Sequence, residues 1–313
     1  MVRIMQAQLT QDHLSGQIKQ KAIELGFTAC GIASATRLVS YEDRFNRWLD
    51  DGLHGSMAYM ERNKEKRLDP RELMLGAKSV IVVAQNYVPE TASKEQLRVS
   101  TYAYGKDYHY VIRDKLTLMI QYLHELVPGT ESRGFTDSAP VLERAWAVEA
   151  GLGWTGKNAC LIIPKKGSFF FLAEVITTMK LEPDIPFTRN HCGSCTNCMD
   201  ACPTRAIISP GRIDARKCIS YLTIEHKEAI PHDIKKIGQG WIFGCDICQD
   251  VCPHNRFSTP ANEPAFTPLN NMHQWPDDQW RNLEKSDFKK IFIKGSSAIS
   301  RIKYEKLKSN MPD

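Results

Sequence analysis

Cysteines are the residues best suited to chemistry, because eight of the ten in this 313-residue chain fall between Cys192 and Cys252. Seven of the eight form two strings closed by proline, Cys192-x2-Cys195-x2-Cys198-x3-Cys202-Pro203 and Cys245-x2-Cys248-x3-Cys252-Pro253. Cys218 stands alone between the strings. Thiols at such short gaps are typical of metal ligands in a reducing compartment, whereas disulfides belong to oxidising ones. The spacing therefore predicts metal binding.

The first string has the spacing of proteins that bind two [4Fe–4S] clusters, in which the fourth cysteine ligates the other cluster. The second string has three cysteines, so Cys218 supplies the missing ligand. We predict two [4Fe–4S] clusters with crossed ligands: Cys192, Cys195, Cys198 and Cys252 on cluster one, and Cys202, Cys218, Cys245 and Cys248 on cluster two. Zinc is the alternative for paired Cys-x2-Cys strings, although a string ending in x3-Cys-Pro suits a zinc ribbon poorly.

The other two cysteines, Cys30 and Cys160, lie in apolar stretches predicted to be strands. We interpret them as small core residues rather than ligands. The 185 residues that precede the cysteine strings are more than a bare electron carrier needs. We therefore expect the N-terminal part of the chain to hold a site that receives the electrons.

The elements that position such a site are alternating helices and strands. Apolar residues at helical spacing predict helices at residues 17–25, 110–126 and 140–150. Pro140 is expected to open the last helix, with Ser138 as its cap. Apolar runs predict strands at residues 27–33, 79–84, 159–163 and 169–177. This order predicts the α+β class, with an N-terminal layered α/β domain.

Composition divides the chain into three parts. Residues 1–185 form the predicted catalytic domain, residues 186–262 the double-cluster domain, and residues 263–313 a basic C-terminal extension. The chain carries a net charge of +5, and residues 281–313 hold nine Lys and Arg against four Asp and Glu. Two interpretations of the extension stay open: an electrostatic footprint for nucleic acid, or an ordinary solvated helix face.

No apolar run is long enough to predict a membrane-spanning helix. Residues 1–20 are polar and mixed, without the apolar stretch of a secretory signal or a twin-arginine pair. We therefore expect a cytoplasmic protein without a membrane partner.

Two polar segments of the N-terminal part are candidates for the site. No GxGxxG follows a predicted strand and opens a helix, and no P-loop is present, so a nucleotide site is not expected. Asp137 falls where a predicted strand gives way to a helix, so it is either an N-terminal cap or a general acid. The glycine-rich segment around Gly156, Lys157 and Asn158 is either a plain turn or a place of close approach to a large polar cofactor.

The order of motifs resembles the epoxyqueuosine reductase family over about residues 50–256. The motifs are DSAPVLERAWA, GLGWTGKN, HCGSCTNCMDACPTRAI, CISYLTIE and GCDICQDVCPHN. The resemblance implies a cobalamin-binding domain of the nitroreductase-like or reductive-dehalogenase-like type, followed by a bacterial-ferredoxin-like domain. It also implies reduction of the tRNA wobble nucleoside epoxyqueuosine to queuosine, with electrons passing through the clusters to cobalamin. Longer members carry a C-terminal helical-repeat domain, and the resemblance is to a short form without it.

The resemblance also implies roles for individual residues. Asp137 matches the proton donor and Arg144 an arginine near the substrate. As a general acid, Asp137 would need a raised pKa, which burial beside the corrin could supply. The cobalamin contacts implied by the resemblance are Met57, Ser100, Tyr104, Asp137, Gly156, Lys157, Asn158 and Ser220.

Two positions, compared with the family, indicate which side chains would ligate cobalt. Ser100 stands where some members carry a cysteine, so no thiolate is expected below cobalt. Asp107-Tyr108-His109 begins a D-x-H-x-x-G pattern whose glycine is replaced by Ile112. We therefore expect base-off cobalamin without a histidine ligand, and a hydrogen-bonding role for His109.

The expected partners are a tRNA with a queuosine-type anticodon and a flavodoxin- or ferredoxin-type electron donor, with the chain acting as a monomer. Two other functions stay open. A reductive dehalogenase would act on a small molecule, and an iron–sulfur electron-transfer protein would bind neither cobalamin nor tRNA.

Overall fold

The computed structural model describes residues 10–90 and 95–312. The first five α-helices are α1 (Gln11–Glu24), α2 (Val39–Asp50), α3 (Lys64–Leu68), α4 (Tyr108–Leu126) and α5 (Glu143–Glu149). The cysteine-rich part holds α6 (Asn197–Ala201), α7 (Ile219–Ile224), α8 (His232–Ile237) and α9 (Ile247–Asp250). The last three are α10 (Asp277–Arg281), α11 (Lys285–Phe288) and α12 (Tyr304–Asn310).

The strands form one main sheet and three small pairs. They are β1 (Ala29–Ser34), β2 (Ser79–Asn86), β3 (Arg98–Val99), β4 (Ser132–Phe135), β5 (Trp154–Thr155), β6 (Leu161–Ile162), β7 (Phe170–Thr177), β8 (Ile207–Ser209), β9 (Arg212–Ile213) and β10 (Trp241–Phe243). The main sheet has the order β1-β2-β7-β4, and every neighbouring pair is antiparallel. The antiparallel sheet agrees with the predicted α+β class.

Helices cover both faces of the main sheet. On one face α1 and α4 pack against β-strand residues such as Ile81 and Val83, and on the other α2 and α5 pack against Val80 and Val82. Successive strand residues point to opposite faces, so a strand covered on both sides must be apolar throughout. All eight residues of β2 are buried, which explains the continuous apolar run in its sequence.

The C-terminal part of the chain builds a third core. Trp280, Phe288 and Phe292 pack in one cluster with residues of the 97–104 segment and with Phe243 of β10. The parallel pairing of β10 with β3 joins the cysteine-rich part to the same cluster. Residues 263–312 are therefore packed against both preceding parts of the chain rather than extended from them.

Three local predictions are wrong. The helix expected from Pro140 begins at Glu143, because residues 137–142 form a loop along a cavity. Ser138 does not cap that helix; its hydroxyl donates a hydrogen bond to the carbonyl oxygen of Thr136 at 3.1 Å. The strand expected at 159–163 is shortened to β6, which leaves Cys160 outside it.

Among residues 10–90 and 95–312, no helix has the length and apolar character needed to cross a membrane. Residues 1–9, part of the stretch interpreted as lacking a signal, lie outside the described residues.

Candidate active site and cysteine centres

The cysteines of the first predicted group lie close enough to affect one another's ionisation. Burial raises the pKa of Cys198 to about 11, and Cys192, Cys252 and Cys195 are the neighbouring thiols that raise it further. Cys252 comes from the second string, so a cysteine from each string reaches this group. The grouping agrees with the crossed ligand set predicted for cluster one.

The second group has the same character. Burial raises the pKa of Cys245, with Cys218 and Cys202 as neighbouring thiols that add to the shift. A hydrogen bond with Cys160, followed by burial and the nearby Cys245 and Cys218, raises the pKa of Cys248. Thiols held so close need a positively charged centre to stay ionised together, and an iron–sulfur core supplies one. Among the described residues, no three His, Cys, Asp or Glu side chains converge tightly enough to hold a single metal ion.

The glycine-rich segment lies against the cysteine loops. The ammonium of Lys157 donates hydrogen bonds to the carbonyl oxygens of Gly193 and Cys195, both at 2.8 Å. The side-chain amide of Asn158 donates to the carbonyl oxygen of Cys248 at 3.1 Å. This segment therefore ties together the two loops that carry the predicted cluster ligands.

A cavity of about 960 Å³ opens beside the second cysteine group. Its walls come from α2, from the start of α4, from the 137–145 segment and from β7. Cys160, which hydrogen-bonds with Cys248, forms part of the wall. The interpretation of Cys160 as a core residue is therefore wrong, whereas Cys30 packs in the core beside α1 and α4 as predicted.

Asp137 lies on the same cavity wall, at the end of a chain of hydrogen bonds. The Nε2 of His109 is 3.2 Å from Oδ2 of Asp137, and its Nδ1 is 2.7 Å from Oδ1 of Asp107. The Asp137 side chain is 46% exposed, and the guanidinium of Arg301 lies 3.9 Å from its Oδ2. The predicted hydrogen-bonding role of His109 is confirmed.

The charges at this site differ from the expectation for a general acid. Burial raises the pKa of Asp137, but hydrogen bonds from His109 and Tyr108 and the charge of Arg301 outweigh it, and the pKa is lowered. Burial lowers the pKa of His109, but its contacts with Asp107 and Asp137 raise it to about 9. At neutral pH the proton therefore resides on His109. The raised pKa that burial beside a corrin would give Asp137 stays a prediction.

Two further carboxyl groups lie behind the Asp137 loop. Asp137 has a left-handed backbone with φ of 52°, and its amide donates to Oε1 of Glu143 at 2.6 Å. Burial raises the pKa of Glu143 to about 8, and burial together with Glu143 raises the pKa of Glu174 well above its ordinary value. Glu143 therefore fixes the loop that presents Asp137 to the cavity.

Arginines give the cavity a positive lining. Arg144, the other predicted catalytic residue, lies on its wall at the start of α5. The six arginines of the lining are Arg44, Arg62, Arg67, Arg144, Arg212 and Arg301. This excess of positive charge suits an anionic ligand such as a phosphodiester.

The other predicted cofactor contacts lie away from this lining. Ser100 is buried and its hydroxyl donates to the carboxylate of Asp246, which also accepts from the amide of Thr101 at 2.7 Å. Tyr104 is buried in the C-terminal core. Met57 and Ser220 lie near Cys218, because Met57 packs in the same cluster and Ser220 is two residues away. The cavity lining contains Asp137 and Arg144 but not these residues or Gly156, Lys157 and Asn158.

The sequence interpretation missed two residues of the site. Arg301 belongs to the basic segment whose charge was noted, but its 164-residue distance from Asp137 gave no sign of contact. Cys160 was hidden by its apolar neighbours. Glycine spacing before it, in Gly151, Gly153 and Gly156, marked only a region of close backbone approach.

Known proteins resemble this chain along nearly its whole length. Residues 191–255 match the family model described as a 4Fe-4S double cluster binding domain, and residues 67–138 match the one described as epoxyqueuosine reductase QueG, DUF1730. The chain is 49% identical to an epoxyqueuosine reductase from Cyclobacterium marinum over 94% of both chains. It is 46% identical to one from Cellulophaga algicola over 96% of this chain and 98% of that one.

Solved structures agree. An epoxyqueuosine reductase with an epoxyqueuosine-modified tRNA-Tyr stem loop superposes with a TM-score of 0.85 at 30% identity, covering 95% of this chain and 79% of that one. A catabolic reductive dehalogenase, NpRdhA, is 16% identical with a TM-score of 0.54, covering 79% of this chain and 32% of that one, and so shares the fold alone. From its cysteine centres, its cavity and these likenesses, the chain belongs to the epoxyqueuosine reductase family.

Proposed function

We propose that this chain reduces the epoxide of epoxyqueuosine to queuosine at the wobble position of tRNA. The observation that carries the proposal is that Asp137 and Cys160 line one cavity, and that Cys160 contacts Cys248 of the second cysteine group. The proposed proton donor therefore faces the cavity, and the proposed electron source lies directly behind its wall. The relatives of similar length are named epoxyqueuosine reductases.

The proposed cofactors are two [4Fe–4S] clusters and base-off cobalamin. Cobalamin, when bound, supplies a cobalt centre that delivers electrons to the epoxide. The fit rests on the cavity, whose volume of about 960 Å³ is at the upper end of the range for ligand pockets. The cluster ligands are the two groups of four cysteines described above.

Individual cobalamin contacts are proposals of unequal support. Asp137 lines the cavity and is the best supported. Met57, Ser100, Tyr104, Gly156, Lys157, Asn158 and Ser220 stay predictions that rest on the family resemblance. For Lys157 and Asn158, the contacts with the cysteine loops support a role in holding the clusters instead.

In the proposed reaction Asp137 donates a proton to the epoxide oxygen, because an alkoxide leaving without a proton is a high-energy species. A relative from Bacillus subtilis is described with its catalytic aspartate loop swung out of the active site, and that chain superposes with a TM-score of 0.84. We propose that the 137–142 loop is the corresponding segment. Arg144 orients the substrate through its ring oxygens or a phosphate.

The tRNA is proposed to approach through the arginine-lined mouth. Three of the six arginines, Arg62, Arg144 and Arg212, lie on different segments around the opening and suit the phosphates on either side of an extruded nucleoside. Arg301 brings the basic C-terminal segment to the same place. This supports the nucleic-acid interpretation of that segment.

We further propose that the chain acts as a monomer in the cytoplasm, where its tRNA substrate is found, and takes electrons from a flavodoxin or a ferredoxin. Its division at residues 185 and 262 is also a proposal. The tight packing of residues 263–313 against β3 and β10 argues that the last part folds together with the other two.

The decisive experiment is turnover of epoxyqueuosine-containing tRNA with a chemical reductant, with and without added cobalamin. Queuosine is expected only when cobalamin is present, and the loaded protein should show corrin absorbance on top of iron–sulfur absorbance. Iron–sulfur absorbance alone, with no product under either condition, would favour an electron carrier. Turnover of a halogenated aromatic but not of the tRNA would favour a dehalogenase.

A further inference from the structure

The chemistry of the proposed reaction requires more protons than Asp137 holds, and this inference rests on that proposed function. Converting the epoxide to an alkene breaks both carbon–oxygen bonds, forms one carbon–carbon π bond and releases the oxygen as water. The balance is two electrons, supplied by the reductant, and two protons. A single carboxyl group carries one proton, so it must be reloaded during each turnover.

Asp137 is also poorly suited to hold a proton by itself. Its carboxylate accepts hydrogen bonds from His109 and Tyr108 and lies near Arg301, and all three favour the charged form. A carboxyl group in this setting is ionised at neutral pH. The acid therefore needs a neighbour that brings it a proton.

His109 is placed to be that neighbour. Its Nε2 is 3.2 Å from Oδ2 of Asp137, within reach of direct proton transfer. Its Nδ1 is bound to Asp107 at 2.7 Å, which fixes the ring and makes the other nitrogen the mobile one. The ring also stacks on Tyr108 with centroids 4.2 Å apart. With 20% of its side chain exposed, His109 can be reprotonated from solvent.

We propose that His109 is a proton shuttle that loads Asp137 twice in each turnover. In each cycle the Nε2 proton passes to Oδ2 of Asp137, Asp137 passes it to the substrate oxygen, and solvent reprotonates the neutral imidazole. Asp107 stabilises the imidazolium between transfers and does not itself give up a proton. His109 thus acts on the substrate only through Asp137.

Charged and titratable groups face His109 from three parts of the chain. Asp107 and Tyr108 face it from the start of α4, Asp137 and Glu143 from the loop and α5, and Arg301 from the C-terminal segment. The two aspartates raise the pKa of His109 to about 9 against the effect of burial. The shuttle is therefore loaded at neutral pH, and turnover should fall as the pH rises through about 9.

The test is His109→Gln in the full chain carrying both clusters and cobalamin. Glutamine keeps hydrogen-bonding capacity but carries no transferable proton. Turnover at neutral pH is expected to fall about 10²-fold, with the alkaline limb lost. His124→Gln, at the exposed C-terminal end of α4, should leave the turnover rate and its fall at alkaline pH unchanged. Iron content and tRNA affinity are measured alongside to establish that the variant is folded.

Asp107→Asn provides a second, milder variant. Asparagine caps a helix as well as aspartate does, so α4 is preserved. The loss of one carboxylate should lower the pKa of His109, so the alkaline limb should move to lower pH. A merely structural role of Asp107 would change the rate without moving that limb.

A measurement independent of turnover is the NMR titration of the His109 ring in protein that carries clusters but no cobalamin. A pKa near 9 is expected, falling in Asp137→Asn and Asp107→Asn. An ordinary histidine pKa, or His109→Gln with normal rate and pH profile, overturns the shuttle while leaving the proposed function intact. No turnover by the unaltered chain overturns both.

Discussion

The two chemical regions of the molecule are held together in opposite ways. The cysteine centres draw all eight thiols from one stretch of chain, and Lys157 and Asn158 fasten its loops through backbone carbonyl groups. The Asp137 site is assembled from three distant segments through ion pairs and hydrogen bonds between side chains. The proposed electron entry thus depends on local spacing, whereas the proposed proton delivery depends on how α4, the 137–142 loop and the C-terminal segment pack.

This difference predicts which changes damage which half of the reaction. A change at a cysteine should alter iron content before anything else, because the ligands have no substitute. A change at Asp137 should leave iron content intact and act on proton transfer alone.

Cys218→Ser should abolish turnover. The lone cysteine completes the second group, beside Cys202 and Cys245. Loss of one ligand in four should reduce iron from about eight atoms per chain toward about four, leaving cluster one in place. Cys30→Ala, in β1 and outside both groups, is the matched control. Full iron content in Cys218→Ser would contradict the crossed ligand set.

Asp137→Asn should lower turnover about 10³-fold while iron content and tRNA affinity stay normal, because the amide has no acidic proton to give. Asparagine tolerates the left-handed backbone at φ 52° as readily as aspartate, so the loop should keep its shape. Asp114→Asn, on the exposed side of α4, is the control. If the two variants retained equal activity, the proton would have to enter elsewhere.

Lys157→Met should have a smaller effect, confined to the electron side. The ammonium lies against two carbonyl groups of the first cysteine string, and its charge favours the reduced, more negative state of cluster one. Its removal should lower the reduction potential on the order of tens of millivolts, measured by redox titration followed by EPR. The exposed Lys180→Met should leave the potential unchanged. An unaltered potential in Lys157→Met would place the cluster away from this lysine.

The two regions also differ in how much of each can be predicted from the sequence. The predicted ligand groups rest on cysteine spacing alone, since each string is a short segment and Cys218 is the one further cysteine between them. The helix of α4 and the buried strands β2 and β7 were likewise visible as periodic or continuous apolar runs.

The contacts around Asp137 could not be predicted from periodic or apolar patterns. Nothing local in the sequence says that Arg301 reaches Asp137, because a core of aromatic residues around Trp280 and Phe292 brings the C-terminal segment there. The lowered pKa of Asp137 has the same origin, because the cation and the two hydrogen-bond donors that outweigh its burial come from other elements.

Glu174 offers the subtlest test, because it lies beneath the proton site and affects stability. Its side chain is fully buried on β7, and neither carboxyl oxygen has a hydrogen-bond partner. Burial and the nearby Glu143 raise its pKa, so the folded chain keeps a proton that the unfolded chain releases above its ordinary pKa. Stability should therefore fall as pH rises, by about 1.4 kcal/mol per pH unit for one proton.

Glu174→Gln replaces the carboxyl group by an amide that does not titrate, so this pH dependence of stability should disappear. At low pH, where Glu174 is protonated in both the folded and the unfolded chain, the variant and the native protein should be equally stable. From weakly acidic to neutral pH the variant should become increasingly more stable than the native protein. The measurement is the difference in urea midpoint between the two proteins across that range. Glu131→Gln, exposed just before β4, should show no such trend. A difference that does not change with pH would mean that Glu174 is ionised in the folded protein, with a cation close enough to stabilise it.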